Sequence, residues 1–444
     1  MSVTCSVGEA VVRALAAHGV DTVLGIPGTH NLGLYAHLGR YGISHVTPRH
    51  EQGGGYAADA YARVSGRPGV LITTTGPGAL NAATAFAQAW SDSSPVLLIA
   101  PGLPTTHTGG AATGFLHECR DQFAALGALS DDPRRATTPE AAAAAVGDAF
   151  GAFASSRPRP RYLELPLDVI DAEGEVDDAV FLPWQARRPV ADPVDVARAG
   201  AVLAEGTRVG IVAGGGARGA GDGVRALAER LGAGVVTSAN GRGVLPESHP
   251  LSLGSTLHLE PVQQWLRGCD VVLVVGAELA ESDAWTTAPL VAGRVVRVDL
   301  DPVQAEVNAP AAEVFLHGDA GETLVSLVAG LPGDAVTDDR LAMVRAGRDA
   351  AAARLARRWT PMLAGLGDAL ARDAVLATDN AMACYRGALV GLGIERPGSY
   401  LFPTGFGTLG FALPAAVGAA LGAPDRAVAA LTGDGGLQFS VNEL

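Results

Sequence analysis

Four turns between an expected strand and an expected helix carry residues that a packed loop does not require. In Gly25-Ile26-Pro27-Gly28-Thr29-His30-Asn31 the glycines and the proline belong to the turn, whereas His30 is unexplained; on spacing alone it is a surface histidine. The segment RHEQGGGYAADA, residues 49–60, leads from a strand expected over Ile43 to Val46 into a helix. Its three consecutive glycines each cost about 1 kcal/mol relative to alanine in a helix, so something must come close to that backbone. Glu51 at the helix start is either a favourable charge on the helix dipole or a carboxylate held for proton transfer. The turn Thr73-Thr74-Thr75-Gly76-Pro77-Gly78 precedes a helix expected over Ala79 to Trp90 and by itself reads as structural. Leu431-Thr432-Gly433-Asp434-Gly435-Gly436 follows a strand expected over Ala427 to Ala430. Its glycines would let a diphosphate approach a helix N-terminus, and its aspartate suits Mg²⁺; alone, Gly-Asp-Gly is a plain turn.

The elements that must hold these turns follow a strand–helix alternation, the rhythm of open, mostly parallel sheets, so the fold class is α/β. Three consecutive α/β domains are expected, over residues 1–170, 193–330 and 360–444. Strands are expected at Thr22 to Gly25, Val70 to Thr74 and Val96 to Ala100 in the first, and at Val209 to Ala213, Val235 to Thr237, Val271 to Val275 and Val295 to Val298 in the second. The acidic, proline-containing stretch 171–192 reads as a linker, and the Ala/Arg-rich stretch 339–358 as a helical one. Gly214-Gly215-Gly216-Ala217-Arg218-Gly219 formally fits a dinucleotide fingerprint. The acidic residue expected after the next strand is missing, since Val235-Val236-Thr237-Ser238 stands there, and this disfavours a nicotinamide site.

Composition removes other classes. The chain has 444 residues, 48% of them hydrophobic, enough for two or three buried cores. Its net charge of -14 speaks against a nucleic-acid or anionic-membrane surface. No apolar run reaches the ~18 residues of a membrane span, and the charged-then-apolar pattern of a secretory leader is not read in the opening residues. Four scattered cysteines, Cys5, Cys119, Cys269 and Cys384, fit a reducing cytoplasm. All 32 basic residues are arginine, so mechanisms that need a lysine Schiff base or a P-loop lysine are excluded.

Taken in order, the turns are far more specific than any one alone. GIPG, RHEQGGGYAADAYAR and TTTGPGALNAATAFAQAW resemble the pyrimidine-binding domain of thiamine-diphosphate enzymes. LPESHPLSLG with DVVLVVGAEL resembles their middle domain, and GFGTLGFALPAAVGAALG with LTGDGG the opening of their diphosphate-binding domain. The branch is that of acetolactate synthase and the 2-oxo acid decarboxylases. GIPGTHNLGLY, LHECRDQ and GAELAESDAW look most like decarboxylases of 5-guanidino-2-oxopentanoate. The resemblance implies thiamine diphosphate and Mg²⁺ as cofactors. Glu51 would hydrogen-bond N1′ of the aminopyrimidine, and the Gly407 carbonyl would accept from its 4′-amino group. Leu409 would sit under the cofactor and enforce its bent conformation, a proximity effect. Asp434 would be a Mg²⁺ ligand, with Gly433, Gly435 and Gly436 beside the diphosphate. Gly28, Thr75, Gly76, Pro77 and Gly78 would complete the cofactor site, and His30 and His117 would face the substrate. For a guanidinium group, Glu118, Asp121, Glu281 and Asp283 are the candidate partners. A homodimer or homotetramer with active sites between chains is implied.

The implied reaction is non-oxidative decarboxylation of a 2-oxo acid to an aldehyde and CO₂, with 5-guanidino-2-oxopentanoate as the candidate acid. One alternative is an acetolactate-synthase-like carboligase, in which flavin would accompany the middle domain. The family's second Mg²⁺ ligand is an asparagine about two to three dozen residues beyond the aspartate, and Asn442 stands too close to serve. The sequence therefore reads as stopping inside its third domain, and the other alternative is an inactive truncated paralogue with a structural or regulatory role.

Overall fold

The computed structural model describes residues 2–107, 113–183, 187–331 and 340–444; residues 184–186 of the expected linker, and residue 339, lie outside it. Among the described residues, seventeen strands form three parallel sheets and one antiparallel ribbon. The first group is β1 (Ser2–Ser6), β2 (Thr22–Gly25), β3 (Ser44–Val46), β4 (Gly69–Ile72), β5 (Val96–Gly102), β6 (Arg134–Arg135), β7 (Arg161–Pro166) and β8 (Glu173–Asp177). The first sheet runs β3-β2-β4-β5-β7-β6, all parallel. Its central strands β4 and β5 are buried on both faces, which is why they read as unbroken apolar runs. The Val7–Ala17 and Pro139–Ser155 helices cover one face, and Glu51–Ser65 with Ala83–Ser91 the other. Instead of the single helix expected over 79–90, Pro77–Asn81 and Ala83–Ser91 are separate, joined at Ala82.

The stretch read as a linker is partly structured. β8 lies within it and pairs antiparallel with β1, Val3 opposite Val176. Val176 is buried while its acidic neighbours face outward, a period-2 pattern hidden in a charged sequence.

The second sheet contains β9 (Val209–Ala213), β10 (Gly234–Thr237), β11 (Ser252–Gly254), β12 (Val271–Val275), β13 (Arg294–Asp299) and β14 (Val314–His317), ordered β11-β10-β9-β12-β13-β14 and parallel throughout. The third contains β15 (Val375–Thr378), β16 (Tyr400–Leu401) and β17 (Val428–Leu431), in the order β16-β15-β17. The Ala/Arg-rich stretch forms the Leu341–Ala356 helix.

Two compact units result. One comprises Met1–Arg187 with Gly405–Asp425 and Asp434–Leu444; the other comprises Arg188–Thr404 with Arg426–Gly433. In the first, the Ala412–Gly422 helix lies directly on Glu51–Ser65. A Cβ on Gly418 would sit 2.0 Å from the Ala57 carbonyl oxygen, so only glycine allows that approach.

Candidate active site

In open parallel sheets, ligands bind beyond the carboxyl ends of strands where the strand order reverses. In the first sheet the reversal falls between β2 and β4, whose following turns are Gly25–Asn31 and Thr73–Gly78. A side-chain contact spans them: His30 Nδ1 lies 3.2 Å from Thr75 Oγ1. The first turn is fixed from within, since Asn31, fully buried, accepts from Gly28 N at 2.8 Å and donates to the Ile26 carbonyl at 3.0 Å.

His117 joins this crevice from a residue with φ 65°, its ring 5.0 Å from that of His30 and nearly perpendicular to it. His117 Nδ1 is buried with no hydrogen-bond partner among the described residues. Burial, with the neighbouring His117 adding to it, pushes His30 below the ordinary histidine range and favours its neutral form. Gly76, at φ 63°, is required by the same crowding, because a Cβ there would sit 2.4 Å from the His117 carbonyl oxygen.

Glu51 is the first residue of the Glu51–Ser65 helix and only 7% exposed. His50 caps this helix by accepting from Gln52 N. Glu51 Oε2 accepts from Asn81 Nδ2 at 3.1 Å, while Oε1 takes no hydrogen bond among the described residues. Oε1 would stand 3.0 Å from a Cβ on Gly78, so the Gly-Pro-Gly turn and the carboxylate fit against each other. Glu51, His30, His117, Gly28 and Thr75 to Gly78 thus gather around one end of one sheet. Asn31, Asn81 and Gln122, which hold them, were not singled out from sequence; polar residues adjoining glycine turns were the available signal for the two asparagines.

The Gly407–Gly410 loop of the same unit places Gly407 and Gly410 at φ 71° and 81° and leaves Leu409 43% exposed. Leu409, Gly410, Phe439, Ser440 and Glu443 form a cleft with His50, Gln52, Gly53 and Tyr56. Tyr56 Oη and Thr408 Oγ1 are hydrogen-bonded there. Glu443 accepts from Arg49 N and His50 N at 2.9 and 3.0 Å, and a Cβ on Gly53 would collide with it. Two of the glycines noticed in sequence are thereby explained by close neighbours, Gly53 by Glu443 and Gly55 by Ala85.

In the third sheet the reversal lies between β15 and β17. Thr432 Oγ1 donates to Asp379 Oδ2 at 3.1 Å across it, and Asp379 is buried. Gly433 follows, and Asp434, exposed, opens the Asp434–Ser440 helix with Gly435 and Gly436. A Cβ on Gly435 would meet nothing within 4 Å. No group of three or more His, Cys, Asp or Glu that could hold a metal exists among the described residues. A single accessible carboxylate fits Mg²⁺ in the company of diphosphate oxygens and water, which supply most of its ligands.

At the second sheet's reversal, between β9 and β12, the Gly214–Gly216 loop rests directly on Gly276. Cβ atoms on Gly214 and Gly216 would lie 2.1 Å from Gly276 O and 2.8 Å from Gly276 Cα. That backbone approach accounts for the fingerprint glycines without a dinucleotide. Three of the four acidic candidates for a guanidinium have local structural roles. Glu118 accepts from the Thr113, Gly114 and Phe115 amides, Asp121 caps the Gln122–Gly127 helix, and Asp283 accepts from Ala239 N. No helix of the described residues is long and apolar enough to cross a membrane.

Open parallel sheets whose reversal points carry a buried carboxylate in one case and a glycine-rich Asp turn in another define an α/β enzyme built around a phosphorylated cofactor. The chain matches the thiamine pyrophosphate enzymes along its length: the N-terminal TPP binding domain over residues 5–125, the central domain over 196–327 and the C-terminal TPP binding domain over 381–444. It belongs to that family. It is 41% identical to a probable 2-ketoarginine decarboxylase of Pseudomonas aeruginosa, over 99% of this chain and 79% of the relative. It is 30% identical to a probable acetolactate synthase large subunit of Methanocaldococcus jannaschii, covering 98% and 77%, and 32% identical to the acetolactate synthase large subunit of Corynebacterium glutamicum, covering 98% and 72%.

Proposed function

We propose that this enzyme decarboxylates a 2-oxo acid without oxidation, releasing CO₂ and an aldehyde, and that 2-ketoarginine (5-guanidino-2-oxopentanoate) is its substrate. The observation that carries the reading is Glu51: a nearly buried carboxylate with one oxygen held by Asn81 and the other free beside Gly78. A carboxylate so held is suited to keep a proton at one ring nitrogen of the aminopyrimidine. Thiamine diphosphate, when bound, supplies the electron sink for loss of CO₂. Residues 1–170, 193–330 and 360–444 serve as pyrimidine-binding, middle and diphosphate-binding domains. Gly28 and Thr75 to Gly78 line the pyrimidine end; the Gly407 carbonyl and the Leu409 side chain fix its orientation. Gly433, Gly435 and Gly436 lie beside the diphosphate, with Gly435 leaving open space, and Asp434 holds Mg²⁺.

His30, kept neutral by burial, and His117, with its unpartnered Nδ1, are placed to exchange protons with the substrate's carboxylate and oxygen. The exposed Leu409 and Gly407 suit a cofactor shared between two chains, so the working enzyme is a homodimer or homotetramer.

CO₂ release from 2-ketoarginine, pyruvate and other 2-oxo acids, with thiamine diphosphate and Mg²⁺ added, tests this. Glu51→Gln, which keeps the shape and the Asn81 contact but removes the charge, is expected to abolish release. Undiminished release by that variant sinks the proton-holding role. An acetohydroxy acid as the main product would favour carboligation, the activity in the names of the two acetolactate synthase relatives.

A further inference from the structure

Behind the Thr75–Gly78 turn lies a buried polar chain that the proposed chemistry leaves unused. Gln122, 7% exposed, accepts from Gly76 N at 2.6 Å. Its Nε2 donates to the Pro101 carbonyl at 2.8 Å and to Tyr162 Oη at 2.8 Å, and stands 3.1 Å from Glu164 Oε2. The amide orientation follows from these partners, since the Gly76 N–H needs the oxygen while the Pro101 carbonyl and the Glu164 carboxylate face the nitrogen. Glu164, 2% exposed, also accepts from Tyr162 Oη and is paired with Arg135 at 2.8 Å.

The turn that Gln122 grips is the one that carries the site. Thr75 meets His30, Gly78 faces Glu51 Oε1, and Asn81 holds Glu51 Oε2. Gly76 stands at a left-handed φ and has no side chain of its own to hold it. We propose that Gln122 is a positioning residue: it fixes the Thr75–Gly78 turn, and through it Glu51 and His30, by a buried hydrogen-bond chain anchored on Glu164 and Arg135. The inference rests on the reading of Glu51 given above. A carboxylate buried behind a turn serves no binding purpose there, whereas a donor–acceptor side chain locked at both ends transmits the rigidity of β5 and β7 to the turn.

The test uses Gln122→Glu in the full chain. A carboxylic acid at 122 reproduces both an acceptor and a donor, but only while protonated. Burial and the Glu164 charge raise its pKa, so the mimicry persists at low pH and fails as pH rises. The ionisable groups around it are Glu164 and Tyr162 on β7, Arg135 on β6, and His117, Cys119 and Asp121 on its own segment. All are present in the parent chain too, so the ratio of variant to parent isolates the new acid. That ratio is expected to fall about tenfold or more between about pH 5.5 and pH 8, in kcat for CO₂ release and in thiamine diphosphate affinity measured by titration calorimetry. Adding Glu164→Gln removes the like charge and moves the fall to lower pH. A ratio independent of pH in both readouts overturns the proposal, and so does a fall that Glu164→Gln leaves in place. The variant at low pH is its own folding control. If the parent binds thiamine diphosphate yet releases no CO₂, the proposed reaction fails while affinity still decides the role of Gln122. A parent that binds no thiamine diphosphate overturns both.

Discussion

Gly78→Ala separates the work of the Thr75–Gly78 turn from the stability of the sheet that carries it. The added methyl would stand 2.7 Å from Thr74 Cγ2 and 3.0 Å from Glu51 Oε1, against an ordinary carbon–carbon contact of about 3.5–4.0 Å. Both obstacles are side-chain ends, so the structure yields by turning Thr74 and Glu51 aside and not by breaking the backbone. Overpacking of this kind costs about 1–3 kcal/mol. Replacing a helical glycine by alanine returns about 1 kcal/mol, and Gly78 lies in the Pro77–Asn81 helix at an ordinary φ. The net loss of stability is therefore at most about 2 kcal/mol. A shift of about 1 Å in Glu51, by contrast, is expected to lower kcat for CO₂ release by about 10²-fold. Denaturant melts and initial rates on the same preparation measure the two effects. Thr74→Ser in the same chain removes Cγ2, gives the new methyl room away from Glu51, and is expected to restore part of the rate. Retention of the parent kcat by Gly78→Ala refutes the coupling between turn and carboxylate. So does a rate loss that merely tracks the fraction unfolded.

Two further perturbations test features away from that turn. His258 stacks on Trp285 at 4.1 Å, and burial pulls its pKa from 6.5 down to about 4. Between these values the unfolded chain takes up a proton that the folded chain refuses, so stability falls as pH drops from above 6.5 towards 4, by about 3 kcal/mol in all. His258→Phe keeps the stack and is expected to remove that component from a series of urea melts; an unchanged pH slope would falsify the assignment. Arg242, buried, pairs with Glu247 at 2.8 Å and donates to the Ala388 and Leu392 carbonyls. Arg242→Met leaves the carboxylate uncompensated and is expected to cost about 3–5 kcal/mol, much of it recovered when Glu247→Gln is added.

The parallel strands were legible in the sequence because burial on both faces writes an uninterrupted apolar run. Val209–Ala213 and Val271–Val275 stand where those runs predicted. Glycine turns after such strands, in the order found here, were enough for the family, and the structure places three of them at reversals of strand order. Charged or short elements were not legible. β8 hides in an acidic stretch because one buried valine is too little signal for a strand, and Ala82 divides an alanine-rich run that local propensity reads as one helix.

What the sequence by itself determined is the set of residue types the chemistry can use and the turns that carry them. Local backbone preference and strand burial are encoded within a few residues of each turn. Tertiary structure alone decided which side chains meet. His30 and His117 are 87 positions apart in number yet meet edge to face. Glu51 has one oxygen engaged because Asn81 comes from the short helix after β4, two strands across from the β3 that precedes Glu51. Gln122 reaches Gly76 because β4, β5 and β7 lie side by side. Such meetings depend on strand order and crossover direction, which are properties of the folded sheet and leave no mark on the residues next to them.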